Sequence, residues 1–214
     1  MRAGFVGLVV VTIGALIAIV AAAMQVKPDS AAATTIFYTV QVPYTPATTT
    51  PSYTPPQVTA NAPAPEGHWT AQRGVDIARR AVKWINWPYS FGAGNANGPT
   101  YGVPVDADSR NDGHIKGFDC SGLVIYALAP WLNLSHDASR QYEEAGSIHP
   151  PLNQLQPGDL VFWSSNGTIG GIGHVAVYIG NGDVIEAPHS GDFVKVARID
   201  QVEAGRIGTT RPLT

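Results

Sequence analysis

The sequence predicts an α+β domain in which short helices pack on one antiparallel β-sheet. Apolar residues recur at helical spacing between residues 69 and 146, whereas short β-branched runs follow only after Pro157–Gly158. Helices first and strands second favour segregated layers over the alternating order of a parallel sheet. The chain also carries one cysteine, which directly precedes one of the predicted helices.

Apolar spacing and end signals define three helices. Residues 69–84 combine apolar residues at helical spacing with Arg and Lys on the other faces. Residues 123–129 are almost entirely apolar and predict a short buried helix that a following proline ends. The third helix covers residues 135–146 and begins with Ser135 or Asp137 as its cap.

Four short strands follow, joined by tight turns. They are rich in β-branched residues and are bounded by turn residues. The strands cover residues 159–163, 174–180, 183–187 and 194–199. Asn181–Gly182 predicts a two-residue hairpin turn between the second and third strands. Earlier in the chain, residues 89–117 form a long glycine-containing loop, and loops of this length are often functional.

The start of the chain predicts no globular fold. Arg2 is the only charge before an uninterrupted apolar or small stretch, Phe5–Ala23, and small-residue cleavage positions lie near Ala23 and Ala33. We interpret residues 1–33 as an export signal, or as a membrane anchor if it stays uncut. In either case the remainder of the chain faces outward.

A spacer follows the apolar stretch. Residues 34–66 hold seven prolines among many threonines and no charge before Glu66. Proline at this density disfavours helices and central strands and favours an extended linker. Residues 67–214 then form one domain of ordinary size.

Composition excludes some functions. The chain carries 13 Lys and Arg against 16 Asp and Glu, for a net charge of −3, and it has no basic cluster. Nucleic acid is therefore not an expected partner. His114 lies near several aspartates in the long loop, but neither EF-hand spacing nor a His-x-x-x-His pair is present. We expect a solvated loop there, and no metal or cofactor.

The only cysteine, Cys120, is a candidate nucleophile. An exported chain with one cysteine cannot form an internal disulfide, so the thiol is not a staple. If a helix begins at Cys120, its free amide groups and its dipole stabilise a thiolate. His174 opens a predicted strand and is a candidate base. A lone cysteine is more often a small buried residue, so these two residues alone do not establish the pair.

Four motifs that follow one another in the sequence favour a catalytic role for Cys120 and His174 over a structural one. They are Pro-Tyr-Ser-Phe-Gly-Ala-Gly at 88–94, Asp-Cys-Ser-Gly-Leu at 119–123, Leu-Gln-Pro-Gly-Asp-Leu-Val-Phe-Trp at 155–163 and His-Val-Ala-Val-Tyr-Ile-Gly-Asn-Gly at 174–182. Together they resemble the NlpC/P60 family of cell-wall peptidases, over about residues 70–212. Phe91 and Ala93 are mild departures from the family's Pro-Tyr-x-Trp-Gly-Gly segment.

The resemblance implies a papain-like fold and hydrolysis of peptide bonds in the peptidoglycan stem, usually the bond between D-glutamate and a diamino acid. Cys120 matches the family's nucleophile, His174 its base and Glu186 its third polar residue. Tyr89 matches a tyrosine near the thiol that helps to polarise the scissile carbonyl. The residues that flank the nucleophile and match positions contacting the stem peptide are Asp119 and Ser121.

Hairpin geometry leaves the third residue open. With a plain two-residue turn at Asn181–Gly182, Glu186 would lie opposite Val177 and would face away from His174. Either the hairpin is bulged or its loop is longer, or Glu186 is not the residue that orients the histidine. The alternatives for that role are His189 and Asp192.

These observations predict an extracytoplasmic cysteine endopeptidase that is secreted, wall-associated or membrane-anchored. Its expected partner is the peptidoglycan stem peptide, with membrane contact through the N-terminal segment if that segment is uncleaved. One alternative is a catalytically weak wall-binding or regulatory protein of the same fold. Another is an amidase or acyltransferase that acts on a different amide. Cys120 and His174 together count against a pure binding module, which would not need them.

Overall fold

The computed structural model describes residues 12–13, 16–17, 67–202 and 205–214. The chain divides into two compact units, Met1–Tyr44 and Thr45–Thr214. In the first unit, β1 (Thr12–Ile13) pairs antiparallel with β2 (Leu16–Ile17). The rest of the predicted export signal, and all of the predicted linker, lie outside the described residues. Within the described ranges, no helix is both long and apolar enough to span a bilayer.

The described part of the second unit contains three α-helices, each begun by a side-chain cap. They are α1 (Ala71–Val82), α2 (Cys120–Leu128) and α3 (Ala138–Glu144). The capping side chains, each accepting a hydrogen bond from the backbone N–H three residues on, are Thr70, Asp119 and Asp137. Each cap satisfies one amide group that a helix start leaves unpaired. The three predicted helices are confirmed, and α2 begins at the cysteine itself.

The predicted loop 89–117 contains secondary structure of its own. Its elements are β3 (Thr100–Tyr101) and β4 (Lys116–Gly117), which pair antiparallel, and a 3₁₀ turn at Asp112–His114. Asp112 is buried, and its carboxylate accepts hydrogen bonds from the Phe91 N–H at 2.8 Å and the Ser190 hydroxyl at 2.6 Å. This carboxylate joins the loop to a segment that lies 78 residues further along the chain.

Five further strands form one antiparallel sheet. They are β5 (Leu160–Ser164), β6 (Ile172–Gly180), β7 (Asp183–Glu186), β8 (Lys195–Arg198) and β9 (Arg206–Thr210). Their order across the sheet is β8-β7-β6-β5-β9. The first four confirm the predicted strands. The fifth is not among them, because Arg-Ile-Gly-Thr-Thr contains a glycine and lacks apolar alternation, and an edge strand needs only one paired side.

Both faces of the sheet carry apolar residues. Phe162, Val175 and Val177 belong to the main core, which also contains most of the buried residues of α1 and α2. A second, smaller cluster contains Val161, Trp163, Ala176 and Val184. Strand alternation sends neighbouring side chains to opposite faces, which explains the two clusters. Every residue of α2 is buried, so the thiol at its start is held in a packed setting.

Candidate active site

Cys120 is the first residue of α2. Its side chain is 9% exposed, and Sγ lies 3.9 Å from the carbonyl oxygen of Gly173 at the start of β6. The unpaired amide groups of a helix start and the positive end of the helix dipole lie at this position. The thiol therefore lies between the start of α2 and the start of β6, as the sequence predicts.

A close approach of two backbone segments fixes the start of α2. The Asp119 N–H donates to the Ala93 carbonyl oxygen at 2.9 Å, and a Cβ on Gly122 would overlap that same oxygen. Only glycine leaves room for this contact, so the glycine of the Asp-Cys-Ser-Gly motif has a packing role. The contact ties the segment that carries Tyr89 to the helix that carries Cys120.

His174 and Glu186 form a buried pair. The His174 Nε2 lies 2.8 Å from the Glu186 Oε2, and the two residues are 7% and 4% exposed. Cys120 lies close enough to His174 to raise the pKa of its imidazole. The Glu186 carboxylate fixes the orientation of the ring. The hydrogen-bond partner of His174 is Glu186 rather than His189 or Asp192.

A β-bulge in the hairpin brings Glu186 to this position. Asn181 and Gly182 both have positive φ, as the predicted two-residue turn requires, and Gly180 pairs with Asp183. The register then shifts between Tyr178 and Gly180, so that Val177 pairs with Ile185 instead of Glu186. The turn prediction is confirmed, and the plain register is wrong. One extra residue on β6 moves the Glu186 side chain to the face of the sheet that carries His174.

The electrostatics of the pair favour a charged imidazole. Burial lowers the pKa of His174, but its hydrogen bonds and charge interactions with Cys120 and Glu186 outweigh burial and raise that pKa to about 10. The arrangement therefore places a charged proton donor beside the Cys120 thiol.

Tyr89 lies close enough to Cys120 for a charge on that residue to raise the tyrosine pKa. The residue is 8% exposed, and its backbone N–H donates to the Asp192 carbonyl oxygen at 2.8 Å. The backbone of Tyr89 also forms an isolated parallel β-bridge with that of Phe118. Burial raises the pKa of Tyr89, and the charges of Cys120, Asp119 and other acids raise it further. The phenol therefore stays protonated and can donate a hydrogen bond.

Asp119 is engaged by protein donors through both carboxylate oxygens. Oδ1 accepts from the Gly122 N–H at 2.7 Å and the Ser121 hydroxyl at 2.9 Å, and Oδ2 accepts from the Gly92 N–H at 2.9 Å. Ser121 is itself buried. Asp119 and Ser121, which flank Cys120, thus belong to a network that holds the start of α2.

One further residue of this network has no motif around it. The Nε2 of His136 lies 2.9 Å from Oδ1 of Asp119. That hydrogen bond raises the pKa of His136, against the opposing effect of burial. His136 is part of no sequence motif that we find. The chain after α2 folds back and brings His136 next to Asp119, the residue before Cys120.

The acids of the long loop do not assemble into a metal site. Asp106 accepts hydrogen bonds from the Ser109 N–H and hydroxyl at 2.8 and 2.7 Å, which is a local turn. Among the described residues, no group of three or more His, Cys, Asp or Glu side chains is placed to hold a metal ion.

A cavity of about 750 Å³ opens beside the histidine and its carboxylate. Gly173, His174 and Glu186 line it near the thiol, and Cys120 is not in its lining. The rest of its wall comes from Trp163, Ser165 and residues 188–189, 195–197 and 201–202. The space is large enough for part of a peptide.

A thiol on a helix start, facing a histidine and a carboxylate on an antiparallel sheet, defines the papain-like class of fold. The NlpC/P60 family model matches residues 86–205. The chain belongs to the NlpC/P60 family.

Known relatives agree with this membership. Peptidoglycan endopeptidase RipA of Mycolicibacterium smegmatis is 39% identical over 124 residues, which is 58% of this chain and 22% of that protein. The structure of peptidoglycan hydrolase RipB of Mycobacterium tuberculosis superimposes with a TM-score of 0.54 at 37% identity, covering 66% of this chain and 65% of that one. The chain spans less than half the length of the curated relatives it matches.

A third relative carries a different description. RipD of Mycobacterium tuberculosis superimposes with a TM-score of 0.52 at 27% identity, covering 65% of this chain and 97% of that one. It is described as a non-catalytic NlpC/p60 domain protein adapted to peptidoglycan binding. Members of one fold therefore differ in whether they catalyse, and the site residues of each chain decide the matter.

Proposed function

We propose that this protein is an extracytoplasmic cysteine endopeptidase that hydrolyses peptidoglycan stem peptides. The observation that carries the proposal is Cys120 at the start of α2, close to the buried His174–Glu186 pair. The RipA and RipB relatives, described as peptidoglycan endopeptidases, support the substrate class. Residues 67–214 are the proposed catalytic domain.

Acylation is the first chemical step. The Cys120 thiolate attacks the scissile carbonyl carbon and forms a C–S bond, and the carbonyl oxygen becomes an oxyanion. The amide groups at the start of α2 and the protonated Tyr89 hydroxyl donate hydrogen bonds to that oxyanion. The C–N bond then breaks as the His174 imidazolium transfers its proton to the leaving amine.

Deacylation restores the enzyme. His174, now neutral, accepts a proton from a water molecule that attacks the thioester carbon. The C–S bond breaks, the acyl half leaves as a carboxylic acid, and the thiolate–imidazolium pair forms again. Glu186 keeps the ring in place through both steps and stabilises its charged form.

The bond between D-glutamate and a diamino acid is the proposed target within the stem peptide. The proposed route to this substrate is export by residues 1–33, with 34–66 as a spacer that holds the domain away from the membrane. The protein would then act as a secreted, wall-associated or anchored enzyme.

A wall-binding protein is the second candidate, because RipD has the same fold and is described as non-catalytic. Defined muropeptides incubated with the purified full-length protein and analysed by mass spectrometry separate the two candidates. We expect the wild type and a His68→Ala control to release the same fragments, and His174→Ala to release none. Wild-type protein that retains muropeptides without cleaving them would establish the binding protein instead.

A further inference from the structure

We propose that Asp112 is a positioning residue for the reaction, and that its bridge to Ser190 sets where the oxyanion donor Tyr89 lies. This inference rests on the proposed function, because it takes Tyr89 as a donor to the oxyanion. It adds two residues that stand outside all four of the sequence motifs.

Asp112 is a buried carboxylate without a basic partner among the described residues. It is 1% exposed, and its hydrogen bonds come from an amide and a hydroxyl. The other buried carboxylates of the described ranges each pair with a histidine or an arginine: Asp119 with His136, Asp159 with Arg211 and Glu186 with His174. Burying a carboxylate without a counter-charge is costly, so stability alone does not account for Asp112.

The Asp112 carboxylate connects two chain segments of the active site. Its Oδ2 accepts from the Phe91 N–H at 2.8 Å and from the Ser190 hydroxyl at 2.6 Å. Phe91 lies two residues after Tyr89, and Ser190 lies four residues after Glu186. One oxygen atom therefore joins the segment of the oxyanion donor to the segment that follows the carboxylate of the histidine pair.

The same two segments also meet at Tyr89 itself. The Tyr89 N–H donates to the Asp192 carbonyl oxygen at 2.8 Å, and the Asp192 N–H donates to the His189 carbonyl oxygen at 3.1 Å. The second bond closes a turn over residues 189–192, and Ser190 lies inside that turn. By holding Ser190, Asp112 therefore supports the turn on which the Tyr89 backbone rests.

The bridge acts on turnover rather than on binding. In the proposed acylation step Tyr89 donates to the oxyanion while His174 protonates the leaving amine, and the two side chains come from different segments. Their separation must match the transition state, and a small displacement of one of them reduces the rate strongly. Loss of the bridge should therefore lower kcat and leave KM nearly unchanged.

Ser190→Ala tests the bridge in the full-length protein with a defined stem peptide. We expect kcat to fall roughly threefold to tenfold and KM to change by less than about twofold. Ser139→Ala is the matched control, because the Ser139 hydroxyl also donates to an aspartate, Asp137, at 2.6 Å but only within the cap of α3. The control should retain the wild-type kcat.

Two variants of the carboxylate test whether its hydrogen bonds are what matters. Asp112→Ala removes both acceptors, so kcat should fall at least as far as in Ser190→Ala. Asp112→Asn keeps an oxygen that can accept both hydrogen bonds, so it should restore kcat to within about threefold of the wild type.

A double mutant separates positioning from a general loss of structure. Tyr89→Phe removes the proposed oxyanion donor, so its position no longer matters to the rate. Adding Ser190→Ala to Tyr89→Phe should therefore lower kcat by less than about twofold further. The same fall in both backgrounds would mean that the bridge does not act through Tyr89.

The outcomes separate the inference from the proposed function. Wild-type kcat in Ser190→Ala, or a rise in KM alone, contradicts the inference and leaves the endopeptidase intact. Hydrogen exchange of the Tyr89 amide, followed by NMR, measures the bridge without activity, and it should be faster in Ser190→Ala than in Ser139→Ala. Equal exchange contradicts the bridge. If the wild type cleaves no stem peptide, the proposed function fails, and the exchange rates still decide whether the bridge holds this segment.

Discussion

His174 is the side chain on which the proposed chemistry depends, because it is paired with the Glu186 carboxylate and lies close enough to the Cys120 thiol to share its electrostatics. Burial alone would keep the ring neutral, yet its two partners raise its pKa to about 10. The consequence is a His174 ring that stays charged, and can donate a proton, through the neutral range. Glu186, at 2.8 Å, is the group whose removal most directly changes that balance.

Glu186→Gln should keep the hydrogen bond and remove the charge. We expect kcat to fall roughly 10- to 100-fold without reaching zero, because Cys120 and the oxyanion donors remain. The carboxylate raises the pKa of His174, so its loss lowers that pKa, and the alkaline limb of the kcat/KM profile should move to lower pH.

The matched control for that variant is Glu143→Gln, which removes an exposed carboxylate from α3. Its profile should overlay that of the wild type. An alkaline limb that stays in place in Glu186→Gln would mean that Glu186 does not stabilise the charged form of His174.

His136 is a positioning residue in this account, since it acts on the thiol through Asp119. His136→Gln should reduce kcat/KM roughly threefold to tenfold, which corresponds to about one hydrogen bond. It also removes a hydrogen bond from the Asp119 network at the start of α2, so the rate of Cys120 alkylation by iodoacetamide should fall. His136→Arg should restore it, and a failure of that rescue would show a purely steric role.

The β6–β7 hairpin and the start of α2 are the elements that assemble the site. The hairpin depends on one bulge residue, and the helix start depends on the contact between Gly122 and the Ala93 carbonyl. The bulge places Glu186 on the same face of the sheet as His174. The glycine contact holds the segment of Tyr89 against the helix that carries Cys120.

Gly122→Ala tests the contact between α2 and the segment 88–94. The added Cβ would meet backbone rather than a movable side chain, so we expect the free energy of unfolding to fall by about 1–3 kcal/mol. Gly170→Ala is the control, since its Cβ would meet nothing within 4 Å. Chemical denaturation of both variants measures the difference, and equal stabilities would contradict the packing role.

Across the described molecule, the sequence predicts well those features that depend on residues adjacent in the chain. The three helices follow from apolar spacing and caps, and four of the five sheet strands follow from β-branched runs. The bulge near Ile179 does not, because register is set by packing against the rest of the sheet. His136 is missed for the same reason, since its partner Asp119 is distant in sequence.

The proposed organisation of the chain places the domain outside the cell. Protease added to intact cells with a permeable wall should therefore cut within residues 34–66, where the proline-rich sequence predicts an extended linker. Sequencing the mature amino terminus would separate cleavage near Ala23 or Ala33 from retention of the apolar stretch. Protection of the domain until the membrane is lysed would contradict export.

The central claim is that Cys120 carries the acyl half of the stem peptide during turnover. Its most direct test is rapid quenching of the wild type with a defined stem peptide, followed by mass spectrometry of the protein. We expect a covalent adduct with the mass of the acyl half, located on Cys120, and neither adduct nor cleavage in Cys120→Ala. Continued cleavage by Cys120→Ala, or an adduct on another residue, would contradict the account.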